Sequence, residues 1–353
     1  RQAARRGAAV HVVNPVDFDF AFAVASRHIV PPSQLADALG KVELGGAGNV
    51  AVIVGALAEN GPHAAAIRKA AADFAAARNA RLCRIPQGAN AIGLAGVGVL
   101  PASRDAQAVL AQPRSAYVIY GIEPGLDFAD QRAALQALAG AQVVAFSQFA
   151  CQSTRRVADV ILPIAALPEI EATLVNLDGI AQSAVAAGKP PGEARPGWRV
   201  LRALADALGV PGFEFTELAG LRASLRSSVW GNREVRATAG SSMDSAPRRD
   251  DGQGGLEVAV SQAIYRGDAV VRRAAALQAH PLNHGPRVVL NPRDAQGAGL
   301  ADGAMAKLGT AAGTATLPVL VDAKVAPGCA WIESGHGATA PLVASATVEV
   351  ARA

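Results

Sequence analysis

Residues 50–77 read VAVIVGALAENGPHAAAIRKAAADFAAA, and residues 81–85 continue RLCRI. Val50–Val54 is a short, continuous apolar run, the kind that parallel sheets bury on both faces. Gly61-Pro62 then punctuates the chain, and proline is well tolerated in the first turn of a helix. From His63 to Ala77 the apolar residues Ile67, Ala70, Ala71 and Phe74 fall at helical spacing. Arg81–Ile85 reads as the next strand. Strand, helix and strand with short links is the unit of a parallel α/β sheet.

The pattern extends in both directions. Ala8–Val13 is a strand-like run stopped by the turn signal Asn14-Pro15. Ser33 is placed to cap a short helix over Gln34–Leu39. Downstream, Ala116–Tyr120, Gln142–Phe146 and Val160–Leu162 read as strands, with a helix over Phe128–Ala139 and a glycine-studded loop over Gln87–Leu100. The expected fold is therefore α/β with a doubly wound parallel sheet over residues 1–227, incomplete at its N-terminus. Residues 164–197 read as loop, followed by helices at Trp198–Leu208 and Glu217–Ser227. Residues 228–255 are rich in Ser, Gly and Arg and cannot supply a core, so they read as a linker. From Leu256 to residue 353 the texture becomes short β runs: Arg287–Leu290, Ala304–Leu308, Thr314–Val321 and Cys329–Ile332. Asp302-Gly303 and Pro327-Gly328 punctuate them as turns, which predicts a small β-barrel-like domain.

Composition removes several functions. The chain has 353 residues, long enough to bury a substantial core without staples. A net charge of +4 arises from mixed rather than clustered charges, and aromatics are 4%. Neither a basic stripe nor a stacking platform for nucleic acid is present. Three dispersed cysteines, Cys83, Cys151 and Cys329, fit neither a disulfide framework nor an iron–sulfur cluster. No apolar run approaches the roughly 18–20 residues of a membrane span. The chain lacks an initiating Met and enters as though in mid-domain, so a fragment is expected.

Individual constellations carry little chemistry. The Gly55–Gly61 link could hold an anion at a helix start, but the G-x-G-x-x-G spacing of a dinucleotide site is absent, which favours an ordinary turn. Gly45-Gly46-Ala47-Gly48 precedes its strand, where such a motif does not function. His280 and His284 are four apart, yet Pro281 lies between them and no further ligand completes a metal set. Cys151 follows a strand end near Arg155 and Arg156, which could make it reactive; a small buried residue is the plainer alternative. Glu169 and Glu171, two apart, read as a solvated pair on opposite sides.

Two motifs carry a resemblance. Ala158-Asp159-Val160-Ile161-Leu162-Pro163, followed by Pro168-Glu169, Thr173, Val175-Asn176 and Gly179, resembles the molybdopterin-oxidoreductase family. There an A-D-V-x-L-P strand enters a loop of the form E-x-x-G-T-x-x-N-x-E-G-R. Glu169, Thr173, Asn176 and Gly179 match. The loop glycine is Ala172, the second acid is Asp178, and the arginine position is Ile180. Val288–Ala295 with Gly299–Gly303 and Pro327-Gly328 is similar to that family's C-terminal dinucleotide-binding barrel. Finer texture resembles the large iron–sulfur subunit of respiratory complex I: Gly88-Ala89-Asn90 with Gly93 and Gly98, Tyr120-Gly121-Ile122-Glu123-Pro124, and Tyr265-Arg266-Gly267-Asp268 with Val271–Ala274 and Leu277-Gln278.

The complex I resemblance implies a scaffold in the peripheral arm, on the cytoplasmic face of a bacterial inner membrane. It implies iron–sulfur clusters in an N-terminal region, FMN in a partner subunit, and no redox centre, metal or catalytic residue here. Glu169, Thr173, Asn176 and Gly179 would then be vestigial pterin-loop positions. Its partners would be other peripheral-arm subunits. The alternative is part of a working molybdenum or tungsten enzyme such as a formate dehydrogenase, with Arg155, Thr173, Asn176 and Asn291 as phosphate donors. A third alternative, a stand-alone small-molecule binder using the Gly55–Gly61 turn, predicts stabilisation by nucleotides.

Overall fold

The computed structural model describes residues 1–46, 48–99, 104–229 and 255–353. The expected linker at 228–255 lies almost wholly outside them. The described chain forms two compact units. One comprises Arg1–Ile85, Gly125–Arg132 and the stretch from 255 onward; the other comprises Pro86–Pro124 and the described residues from Ala133 to 229.

In the first unit, β1 (His11–Asn14) and β2 (Ser26–Ile29) pair in parallel, as do β3 (Ala51–Val54) and β4 (Arg81–Arg84). The helix Ala64–Ala77 joins the latter pair and buries Ala64, Ile67, Ala71, Phe74 and Ala75, one continuous helical stripe. It stops at Asn79, whose φ of 49° is left-handed, with the Asn79 amide donating to Ala76 and the Ala80 amide to Ala75. Glu59 fastens this unit from below: its carboxylate accepts from Arg84 Nε at 2.7 Å and Arg68 Nη1 at 3.0 Å. Burial works to raise the Glu59 pKa, but the hydrogen bonds from Arg84 and then Arg68 outweigh it and hold the carboxyl below its ordinary range.

In the second unit β5 (Ala116–Tyr120), β6 (Gln142–Ser147) and β7 (Val160–Pro163) form a parallel sheet with β6 central. The helix Gln131–Ala139 covers it through Ala134 and Leu138, both essentially inaccessible. The expected parallel α/β architecture is thus present, its strands divided among three ladders. A further hairpin, β8 (Ala172–Val175) and β9 (Ala181–Ala184), is antiparallel. It falls inside the stretch expected as loop, because its strands are four residues long and β9 is exposed throughout, so neither shows an apolar pattern. The helices Gly197–Ala207 and Leu218–Val229 follow, close to expectation.

The C-terminal domain is a closed barrel of six strands: β10 (Leu256–Gln262), β11 (Val288–Leu290), β12 (Met305–Thr310), β13 (Gly313–Val321), β14 (Cys329–Ser334) and β15 (Thr347–Arg352), in the order β10-β14-β11-β13-β12-β15. Closure removes the sheet edges. Leu290, Leu308, Ile332 and Leu342 fill the interior with no exposure. Both punctuating glycines are left-handed, Gly303 at φ 75° and Gly328 at φ 81°.

Two local expectations are corrected. Ser33 does not cap a helix: it lies in a 3-10 turn, and its amide and hydroxyl both donate to Glu257. The 87–100 segment is not all loop. It contains the helix Ala91–Gly96, too short and glycine-rich to show periodicity. Among the described residues no helix is long and apolar enough to cross a membrane.

Candidate functional site

The matched motif begins at β7. Asp159 exchanges two bonds with Val143: its amide donates to the Val143 carbonyl at 2.9 Å, and its carboxylate accepts from the Val143 amide at 2.6 Å. The motif's acid therefore fixes the register of β7 against β6. Beyond Pro163 the chain enters a 3-10 turn, where the Glu169 carboxylate accepts from the Ala166 amide at 2.9 Å. Glu171 pairs instead with Arg222 of the helix Leu218–Val229. The two glutamates thus make separate bonds, and Glu171 is solvated as expected, its side chain 48% exposed.

β8, β9 and their turn carry the remaining loop positions. Thr173 Oγ1 lies 2.9 Å from Ser183 Oγ across the hairpin and accepts from Arg222 Nη2, also at 2.9 Å. Asn176 Oδ1 accepts from the amides of Asp178 at 3.0 Å and Ile180 at 2.9 Å, so this side chain builds the turn. Gly179 occupies the left-handed position of that turn, φ 77°. The whole hairpin is anchored by Asn90, whose Oδ1 accepts from the Val175 amide at 2.8 Å. A Cβ at Gly93 would lie 2.1 Å from the same oxygen, which explains the glycine three residues after Asn90. Sequence reasoning placed Asn90 and Gly93 in a motif but missed Arg222, for which no local signal exists: it lies 49 residues from Thr173.

A pterin dinucleotide needs convergent donors for its phosphates. At this loop the Glu169 carboxylate accepts from the Ala166 amide, Thr173 Oγ1 is shared between Ser183 and Arg222, and Asn176 Oδ1 is used by its own turn, while Ile180 stands where the family has arginine and has no side-chain donor. Asn291 belongs to the other unit, where its Oδ1 caps the helix Pro292–Gly297 through the Arg293 amide and its Nδ2 donates to Val325. Asp294 on that helix accepts from the Gly328 amide at 2.7 Å, so the second matched motif also closes a turn.

The finer motif at 265–278 behaves likewise. Arg266 donates to the Gly335 carbonyl and to Gln278, while Gln278 Nε2 donates to the carbonyls of Tyr265 and Val271. Arg272, nearly inaccessible, pairs with Asp127.

The other candidates separate. Cys151 stands at the start of the short helix Gln152–Val157, its Sγ 3.1 Å from Thr154 Oγ1, whereas Arg155 and Arg156 lie in the helix's last turn. His280 follows the helix Ala275–Gln278, its ring centroid 5.0 Å from that of Tyr265 and tilted by 52°. Among the described residues no three His, Cys, Asp or Glu side chains converge as a metal site. The Gly55–Gly61 turn carries Glu59, whose carboxylate accepts from Arg68 and Arg84.

Comparison with known proteins agrees with these motifs. The family model Molybdopterin oxidoreductase matches residues 7–207, more than half of the chain, and Molydopterin dinucleotide binding domain matches 260–352. The mitochondrial NADH-ubiquinone oxidoreductase 78 kDa subunit of Candida albicans is 49% identical over 51 residues, which cover 14% of this chain and 7% of that protein. Acetylene hydratase from Pelobacter acetylenicus superposes with a TM-score of 0.49 at 17% identity, over 68% of this chain and 44% of its own. With the first model spanning most of the α/β region and the second the barrel, this chain belongs to the molybdopterin oxidoreductase family.

Proposed function

We propose that this chain is a structural segment of the large subunit of an NADH:quinone oxidoreductase, a complex passing electrons from NADH through FMN and iron–sulfur clusters to quinone. The observation that carries this reading is the structural use of the pterin-type loop: Thr173 Oγ1 is held by Ser183 and Arg222, Asn176 Oδ1 builds the turn, and Ile180 stands where the family has arginine. The short match to the Candida albicans subunit supports the same assignment. In this account Glu169, Thr173, Asn176 and Gly179 are relics that now shape a hairpin. No residue of the chain is catalytic, and it carries neither metal nor cofactor. Clusters reside in an N-terminal region and FMN in a partner subunit. Other peripheral-arm subunits surround the chain at the cytoplasmic face of the membrane. We further propose that residues 1–227 and 256–353 are the two inherited domains and 228–255 their connection, in keeping with family matches that end at 207 and resume at 260.

The test is genetic and biochemical. Membranes from a host lacking this segment should lose NADH:quinone reductase activity, and a tagged copy should bring down flavin- and cluster-containing subunits. Full activity without the segment would remove the proposal.

A further inference from the structure

Asparagine is a thermolabile residue, and its lability rises when glycine follows. Asn60-Gly61 is the only such pair in the sequence. It leaves the helix Ala56–Glu59 and enters the turn before the helix Ala64–Ala77. Other asparagines spend their side chains on the fold: Asn90 Oδ1 accepts from Val175, Asn176 Oδ1 accepts from Asp178, and Asn291 Nδ2 donates to Val325. Among the described residues the Asn60 carboxamide makes no hydrogen bond, and neither does the Gly61 amide. The Gly61 carbonyl accepts from the Ala64 amide at 3.2 Å, which ties the turn only on its far side.

The backbone adds two facts. Asn60 sits at φ −106° and ψ 33°, past the last helical residue, so no helical ladder resists rotation about its ψ. Gly61 is not demanded by geometry: its φ is not left-handed, and a Cβ there would meet nothing within 4 Å. At Gly93 and Gly197, by contrast, a Cβ would lie 2.1 and 1.8 Å from another side chain. What glycine supplies at position 61 is an uncrowded nitrogen.

We propose that Asn60 is a site of spontaneous modification, converting to aspartate and isoaspartate through a succinimide closed on Gly61. The Gly61 nitrogen bonds to Asn60 Cγ and gives up its proton. The Cγ–Nδ2 bond breaks, and ammonia leaves. Water then opens the ring at either carbonyl, and nothing is oxidised or reduced. Cleavage of the new Cγ–N bond leaves aspartate in an unchanged main chain. Cleavage of the original peptide bond leaves isoaspartate, with the main chain routed through the side chain and one atom longer. That extra atom falls directly after Glu59, whose carboxylate accepts from Arg84 Nε at 2.7 Å and Arg68 Nη1 at 3.0 Å. The isoaspartyl form therefore shifts the residue that fastens β4 and the helix Ala64–Ala77 together.

The experiment incubates the 353-residue chain at mildly alkaline pH and maps its peptides by mass spectrometry. Asn60 should gain the mass difference between amide and acid, in aspartyl and isoaspartyl forms, while Asn79 and Asn90 stay intact. Isoelectric focusing should show a second species one charge below the parent's +4. Gly61→Ala, which the turn has room for, should keep the circular dichroism spectrum and suppress the conversion. The isoaspartyl fraction should unfold at lower urea than the Asn60→Asp variant, which carries the same charge on an unlengthened chain. Conversion at Asn60 no faster than at Asn79, which Ala80 follows, would overturn the proposal. So would a Gly61→Ala chain that converts as fast as the parent. An isoaspartyl fraction with the same urea midpoint as Asn60→Asp would overturn the link to Glu59. None of these outcomes depends on the NADH:quinone assignment.

Discussion

Acidification should weaken the barrel through one histidine. His336 follows β14 and is 6% exposed, and its Nε2 has no hydrogen-bond partner among the described residues. Burial, and then the Arg266 cation, push its pKa down from 6.5 to about 4. The unfolded chain binds the proton near 6.5, the native one only near 4. Above 6.5 both forms are neutral and the group has no effect. As pH falls from 6.5 toward 4 the unfolded state alone gains a proton, so stability is lost across that window. The full difference corresponds to about 3 kcal/mol. Neighbouring Glu333 acts in the opposite sense. Its pKa is raised, chiefly by burial, against the pull of Arg287 and His284, so its protonation favours the native barrel. A comparison with His336→Gln cancels that contribution. Urea unfolding would be followed by Trp331 fluorescence, with Trp198 and Trp230 replaced by Phe. The stability of the parent relative to the variant should be level above pH 7 and fall by about 3 kcal/mol toward pH 4. A difference independent of pH would refute the reasoning.

Four further outcomes follow from the packing. A Cβ at Gly197 would lie 1.8 Å from the Tyr120 hydroxyl, so Gly197→Ala should cost about 1–3 kcal/mol, and Tyr120→Leu should restore most of it in a double-mutant cycle of denaturant midpoints. Glu59→Gln removes the carboxylate that pairs with the half-buried Arg84 and the mostly buried Arg68, and should cost about 1–3 kcal/mol in urea unfolding at neutral pH. Because the Glu59 pKa is lowered, the parent's advantage over that variant should shrink as pH falls through the lowered value. Asn90→Ala strands the Val175 amide and should cost about 1–3 kcal/mol, with faster hydrogen exchange confined to the β8–β9 hairpin. Leu308→Ala, at a barrel position with no exposure, should cost about 2–5 kcal/mol by thermal unfolding, and a smaller loss would mean that the barrel collapses around the gap.

What was legible in the sequence followed from periodicity and punctuation. The helix over residues 63–77 and the strands at 116–120 and 142–146 announce themselves because each buries an apolar face against a neighbour. The barrel's inner strands were visible from their turns. Its closing strands β10 and β15 were not, since their role is set by pairing with each other and with β14 and β12, contacts remote in sequence. The β8–β9 hairpin was hidden for a different reason. Its strands are short, β9 is solvent-facing, and it is tied to Asn90 and Arg222, both more than 45 residues away from their partners. The motif positions themselves could be read, but that Thr173 would be occupied by Arg222, and Asn176 by its own turn, required the fold.

The central claim is that the pterin-type loop of this chain is a structural relic. Its most direct test is the molybdenum, tungsten and pterin content of the chain isolated from its native host within its membrane assembly. The account predicts neither metal nor pterin in stoichiometric amount, with the chain co-migrating with NADH oxidation. Stoichiometric metal and pterin on this chain would contradict it.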